Sequence, residues 1–337
     1  MSMNGLSPDT FLRDYWQKQH LFLPLAITDF SPPIDANDLA GAALEPDIDA
    51  RIVVGGADEW KLSRGPFEST DFQRPGPWTL MVQEVDQLWS SVASLFRYAS
   101  FLPEWRFADV MMSYATDQGG AGPHFDLYDV FILQGDGERR WQIGQWCDET
   151  TPLRADPSMK LVRDFVPVAE YRLQRGDVLY IPPGLAHYGT SIGESTSFSL
   201  GCRSPRRVDL LARAVDDLLD GSADQGLLGD LNRPAATEPG RVRDWDLDNV
   251  RKQLQCVLES LDIRTLGEVL TDPGEDGFVT GIKEEFDALD DNAELERSRP
   301  AALAWADSGP ASQHNDRGES EPEFLTFANG EAHRVPL

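Results

Sequence analysis

Cationic side chains are scarce in this chain: 30 Lys and Arg stand against 57 Asp and Glu in 337 residues, a formal net charge of −27. An excess of carboxylates repels phosphate backbones, so direct nucleic-acid binding is not expected and a basic partner is favoured. Cysteine is also sparse. Cys147, Cys202 and Cys256 lie far apart, form no CxxC pair and leave one thiol over in any disulfide scheme, which predicts a reducing compartment. No segment approaches the ~20 consecutive apolar residues needed to span a bilayer. The opening MSMNGLSPDTFLRDYW has an early acid and no apolar run, so the expectation is a cytoplasmic protein with no membrane contact. There is no internal repeat, no P-loop and no GxGxxG, and nucleotide-dependent chemistry has no support.

What is present is a chain that folds. Apolar residues make up 41% and aromatics 9%, and the length accommodates one large domain with smaller ones beside it. Ser7 to His20 reads as a capped helix, Leu21 to Pro24 as extended, and Asp35 to Leu44 as a second short helix. Arg51 to Val54 and Trp78 to Val85 have strand character, and Gln87 to Tyr98 returns to helical periodicity. From Trp105 to Cys202 short apolar runs alternate with Gly, Pro and Asp (ADVMMSY, YDVFILQ, RRWQIG, YRLQ, DVLYIPP, SFSLGCR), the pattern of an antiparallel sandwich or barrel. After Ser204 the strands give way to helices at Val208 to Leu219, Trp245 to Leu261 and Val279 to Leu289. Ala306 to Pro322 reads as a flexible linker, and FLTFANGEAHRVPL offers one strand and an Asn-Gly turn.

The chain has only five histidines, and two sit in informative settings. His124 lies in GGAGPHFDLYDVFI, with Asp126 two residues on. On an extended strand, residues i and i+2 share a face, so one imidazole and one carboxylate can hold a single cation. His187 follows the pattern G-D-x4-P-x4-H, in which Pro182-Pro183-Gly184 gives the histidine a rigid mount. Two histidines and a carboxylate on a β scaffold make the facial triad that leaves positions open on Fe(II) for a cosubstrate and dioxygen. Zinc hydrolysis is disfavoured, since no third histidine, HExxH or CxxC lies nearby. An Fe(II) oxygenase of this type needs a cation for the distal carboxylate of 2-oxoglutarate. Arg139 and Arg140 follow the turn Gly135-Asp136-Gly137, and alternation points at most one of them inward without choosing which.

GPHFDLYDVFILQGDGERRWQIG together with GDVLYIPPGLAHYGTS resembles the JmjC-type oxygenases of the cupin superfamily, most closely the bacterial ribosomal oxygenases that hydroxylate arginine. The likeness extends upstream through WQKQHLFLP, DLAGAALEPDIDARIV, RGPFES and WTLMVQEVD. It implies an α+β protein with a double-stranded β-helix (jelly-roll) core and a helical C-terminal domain. The expected divisions are an α/β lead-in at 1–98, the β-helix at 99–204, a helical dimerisation domain at 205–300, and a linker with a truncated or degenerate winged-helix remnant at 301–337. It also implies Fe(II) held by His124, Asp126 and His187, with 2-oxoglutarate anchored by Arg139 and approached by Ser113. The implied reaction couples oxidative decarboxylation of 2-oxoglutarate to hydroxylation of an arginine β-carbon in a basic large-subunit ribosomal protein. Asp117, Tyr128 and Asp129 flank the metal loop as acceptors for the substrate guanidinium, and each can instead cap a turn. Two other readings share the pattern: a metal cupin with isomerase or hydrolase chemistry, and a non-catalytic module that docks a ribosomal protein. Asp126 in place of a second histidine, with Arg139 behind it, argues against the first.

Overall fold

The computed structural model describes residues 6–56, 59–155, 159–220, 226–235, 241–259, 261, 263–271, 303–307, 323–328 and 331–336. They fall into two compact units that divide after Ser204.

The first unit opens with helix α1 (Pro8–Asp14), capped where Ser7 Oγ accepts the Thr10 N–H at 3.1 Å. The expected helix to His20 stops early because Gln17 turns into the left-handed region at φ 56°. Its backbone N–H donates to Tyr180 Oη at 2.7 Å, and its amide donates to Asp129 Oδ2 at 2.9 Å. Strand β1 (Leu21–Leu23) and helix α2 (Ala36–Ala42), with its Asp35/Asp38 capping box, fall where they were read. The hairpin β2 (Ala50–Gly56) and β3 (Glu59–Arg64) and strand β4 (Trp78–Val82) follow. β3 went unseen because EWKLSR is a charged outer strand without an apolar run. The single helix expected over Gln87 to Tyr98 is broken instead into α3 (Val85–Leu88), α4 (Ser90–Ala93) and a 3₁₀ turn, with an extended Trp89 between the two helices.

The double-stranded β-helix is made by β5 (Phe107–Ala115), β6 (Asp129–Gln134), β7 (Glu138–Trp146), β8 (Ala169–Gln174), β9 (Val178–Ile181), β10 (Leu185–Ile192) and β11 (Ser195–Cys202). All ladders are antiparallel. The larger sheet runs β1-β9-β6-β11-β5-β4-β2-β3 and the smaller β10-β7-β8. Strand β6 shows why the chain reads as a continuous apolar run there: all six residues are buried. Phe131 and Leu133 join the core beneath the N-terminal helices, while Val130 and Ile132 pack with Trp141, Ile143, Leu173, Leu179 and Ile181. Phe11 of α1 is fully buried and meets Tyr180 edge-on at 4.9 Å and Phe131 at 5.8 Å, so the lead-in shares the core of the β-helix.

The second unit contains α5 (Arg207–Asp220), α6 (Asp244–Glu259), α7 (Ile263–Thr271) and an antiparallel sheet β12-β13-β14 (Leu303–Asp307, Glu323–Ala328, Glu331–Pro336). The first two helices match the periodicity, α7 was not anticipated, and the Val279 to Leu289 helix lies outside the described residues. The linker reading gives way at its start, since Ala306 and Asp307 complete β12, and 308–322 lie outside the described residues. The tail contributes two strands rather than one. Ala328 pairs with Glu331, residues 329–330 lie outside the described residues, and β12, earlier in the chain, pairs with β13.

Replacing Phe11 by Ala is expected to cost about 3–5 kcal/mol, the range for a large aromatic in a closed core, as measured by equilibrium denaturant unfolding.

Candidate metal centre and its cavity

His124 and Asp126 do not lie on a strand, contrary to the i, i+2 argument. They sit in the loop between β5 and β6, and it is backbone pairing that carries them to the third residue. The His124 N–H donates to the His187 carbonyl at 3.0 Å and the His187 N–H to the His124 carbonyl at 2.8 Å. Two residues further along, the Gly184 N–H donates to the Asp126 carbonyl at 2.7 Å. The Pro-Pro-Gly turn therefore mounts His187 and also fastens the loop that bears the other two residues. This works because β10 begins immediately after the turn, with Gly184 at φ 79°. Strand β10 was not read from the sequence, since LAHYGTSI lacks a β-branched run.

The three side chains converge. One donor atom from each of His124, Asp126 and His187 lies within 4.8 Å of the others, and Asp126 Oδ2 is 3.5 Å from His187 Nε2. The imidazole rings are 4.4 Å apart at 61°. His124 Nδ1 is 2.8 Å from the Gly122 carbonyl and His187 Nδ1 is 3.0 Å from the Leu185 carbonyl. A carbonyl only accepts, so each Nδ1 carries the proton and each Nε2 keeps its lone pair for a metal. His187 is 2% exposed, and burial, followed by the neighbouring His124, pushes its pKa down to about 4. It stands neutral at physiological pH, as a ligand must. Two neutral imidazoles and one carboxylate suit Fe(II) or another divalent first-row metal with positions left open.

The triad opens into a cavity of about 450 Å³ between the sheets. At one part of its wall lies Arg139, 5% exposed. Its Nη1 donates to Ser113 Oγ at 2.9 Å and Ser197 Oγ at 2.7 Å, and its Nε donates to Ser195 Oγ at 3.2 Å. Burial pulls its pKa down to about 10, so it remains a cation. Among the described residues no carboxylate pairs with it. A buried guanidinium held by neutral hydroxyls is a receptor for an anion brought from outside. Arg140 points from the other face of β7 and does not line the cavity.

Ser113 lines the cavity and accepts from Arg139. Of the three proposed substrate contacts only Tyr128 is brought to the cavity, where the Asp126 carboxylate pushes its phenol well above the usual range although the side chain as a whole is 45% exposed. Asp117 is exposed and accepts the Gly193 N–H at 2.8 Å across the β10–β11 turn. Asp129 turns to the opposite side of β6. It accepts from Tyr180 at 2.6 Å, Gln17 at 2.9 Å and Ser204 at 3.1 Å and joins the lead-in to the barrel, because odd-numbered residues of β6 face away from the cavity. Ser195 and Ser197 were not singled out from the sequence. The signal was there in STSFSLGC, where small polar residues alternate along an otherwise buried strand.

A JmjC domain model matches residues 94–210. The chain is 36% identical over 253 residues to ribosomal protein uL16 3-hydroxylase of Escherichia coli strain K12 and 33% identical over 264 residues to a probable ribosomal oxygenase of Haemophilus influenzae. These alignments cover 73% and 76% of this chain and 66% and 64% of the relatives, just under two thirds of their length. Among solved structures, the E. coli ribosomal oxygenase YcfD in complex with cobalt and succinic acid superposes with a TM-score of 0.71 at 30% identity, covering 98% of this chain and 86% of that one. The chain belongs to the JmjC ribosomal oxygenases. A second YcfD structure, in complex with cobalt and 2-oxoglutarate, superposes at 0.72 with 29% identity over 98% of this chain and 86% of that one. Among the described residues of this family member, no helix is long and apolar enough to cross a membrane.

His124→Ala and Asp126→Ala are each expected to abolish stoichiometric Co(II) binding, followed by visible absorption. Gly122→Ala keeps all three ligands, but its φ of 80° and the Leu161 methyls 2.8 and 3.1 Å from an added Cβ force the Gly122 carbonyl to move. A loss of about tenfold in metal affinity is the expected result for a displaced histidine partner.

Proposed function

We propose that this chain is an Fe(II)- and 2-oxoglutarate-dependent dioxygenase that hydroxylates the β-carbon of an arginine in a basic large-subunit ribosomal protein. The observation that carries the reading is the buried Arg139 cation, without an acid partner among the described residues, lining the same cavity as a His-Asp-His cluster. In this reading His124, Asp126 and His187 hold the iron, which when bound supplies activation of dioxygen for oxidative decarboxylation of the cosubstrate. Arg139 takes the distal carboxylate of 2-oxoglutarate, and Ser113 and Ser197 hold the guanidinium in place for it. Trp141, Ile143 and Val130 exclude water from the inner wall. Tyr128, exposed beside Asp126, is the substrate contact we retain at the metal side of the cavity.

The ribosomal-protein target is supported by the name of the E. coli relative, ribosomal protein uL16 3-hydroxylase, and by electrostatics: a net charge of −27 attracts a basic partner. Three free cysteines are in keeping with a cytoplasmic, reducing setting. We further read residues 205–300 as a dimerisation region. Val208, Leu211, Val215 and Leu219 of α5 and Leu247, Val250, Leu254 and Leu258 of α6 are exposed stripes with the same spacing of three, four and four residues. Apolar stripes of this kind on two successive helices suit a second copy of the same chain. The sheet β12-β13-β14 has the strands of a winged helix, and we read 301–337 as a linker with a truncated or degenerate remnant of that module.

Arg139→Ala is expected to raise the 2-oxoglutarate KM by about 30-fold or more, the consequence of losing ~2–5 kcal/mol from a buried charge pair, while Arg140→Ala leaves it near wild type. Succinate release in the presence of the ribosomal protein substrate checks both, and a reversed pattern sinks the anchor assignment. A Leu247→Asp/Leu254→Asp double variant is expected to sediment as a monomer where the wild type sediments as a dimer.

A further inference from the structure

Among the described residues, the cavity wall carries two buried side-chain polar atoms with no hydrogen-bond partner, Trp141 Nε1 and Thr79 Oγ1. A hydroxyl rotor can turn towards a strand carbonyl. An indole N–H is fixed by its ring, and leaving it buried and unmade costs free energy that a native structure rarely bears without a reason. Trp141 is 7% exposed, so water does not meet that demand from outside.

Its position along β7 is the second observation. Arg139, Trp141 and Ile143 alternate onto one face, opposite Ser191, Gly189 and His187 of β10. Trp141 is therefore the middle step between the guanidinium and the metal-side histidine, and its ring centroid is 5.9 Å from that of His187. The indole lies over Gly189. An added Cβ there would come within 2.8–3.0 Å of three ring atoms, so the absence of a side chain at 189 gives the ring its seat. A dicarboxylate stretched from the metal to Arg139 has to pass this residue.

Resting on the reading of the cavity as a 2-oxoglutarate site, we propose that the Trp141 indole N–H is a positioning hydrogen-bond donor to the oxo-acid end of the cosubstrate. It discriminates 2-oxoglutarate from plain dicarboxylates such as the product succinate, which meet Arg139 but have no oxo-acid group to present to the indole. Binding of the oxo-acid then satisfies a donor that is unsatisfied without it, and release of succinate leaves it free again. Trp141 acts here on orientation and selectivity, with Arg139 supplying the charge.

The test is calorimetric titration of the full-length, Co(II)-loaded protein with 2-oxoglutarate and, separately, with succinate. Two substitutions are used: Trp141→Phe, and Trp141 replaced by benzothienylalanine, which keeps the bicyclic outline and removes only the N–H. We expect the 2-oxoglutarate Kd to rise about tenfold or more, the loss of a hydrogen bond to a charged acceptor, with the succinate Kd changed by less than about twofold. Thermal unfolding checks that the benzothienyl protein folds if the Phe variant does not. Equal weakening of both ligands would mean that the ring only shapes the wall, and unchanged 2-oxoglutarate affinity in the benzothienyl protein would mean that the N–H has no role; either overturns the proposal. Wild-type protein that binds no 2-oxoglutarate overturns the cosubstrate reading and this proposal together, whereas wild-type binding matched by the variants overturns the indole assignment alone.

Discussion

A pair of backbone hydrogen bonds between His124 and His187 is the constraint on which the centre depends. The two histidines lie 63 residues apart in the numbering, and the amide of each donates to the carbonyl of the other. Crowding two imidazoles and a carboxylate together has a cost, since each loses hydration. The bridge meets that cost with backbone bonds, which do not depend on which side chains are present. It also sets the tautomers, because each imidazole reaches back to the carbonyl two residues before it. Ligand orientation is thus written into local backbone geometry at both histidines.

Arg139 shows the complementary strategy. A cation buried without an acid is unstable in isolation, and three serine hydroxyls meet only part of the lost hydration. The Arg139 nitrogens all find hydrogen-bond partners, but its charge is left without a carboxylate among the described residues, which under the proposed function keeps the site open to a carboxylate ligand. The Trp141 indole differs, since it lacks a hydrogen-bond partner altogether. Asp129, also buried, is by contrast surrounded by donors from Tyr180, Gln17 and Ser204.

How much of this was legible depended on whether the information was local. His124, Asp126 and His187 stood out because short motifs with Gly and Pro frame them, and six of the seven β-helix strands announced themselves as apolar runs. The strand that carries His187 did not, since its pairing with β7 is a tertiary contact and its residues are small and mixed. Alternation offered Arg139 or Arg140 and could not choose, because inside and outside are set by the opposite sheet. Asp129 looked like a site residue by proximity in sequence, yet a one-residue step along β6 turns it to the other face. The early end of α1 was equally invisible: it follows from a tyrosine more than 160 residues away that captures the Gln17 amide.

The cavity has walls of two kinds. Strands β7 and β10 hold Arg139, the Trp141 indole and His187 in one continuous ladder, with Gly189 kept bare to seat the ring. Any change of shape there is transmitted to His187, to Arg139 or to both. The β2–β3 hairpin contributes Arg51, Leu62 and Arg64 to the lining and the connection between β7 and β8 contributes Met159 to Leu161, and among the described residues none of these hydrogen-bonds to the His124, Asp126 and His187 cluster or to Arg139. Change in the lining is therefore channelled: substitutions on β7 and β10 disturb Arg139, Trp141 or His187 directly, whereas the hairpin and the long connection can be rewritten without touching them.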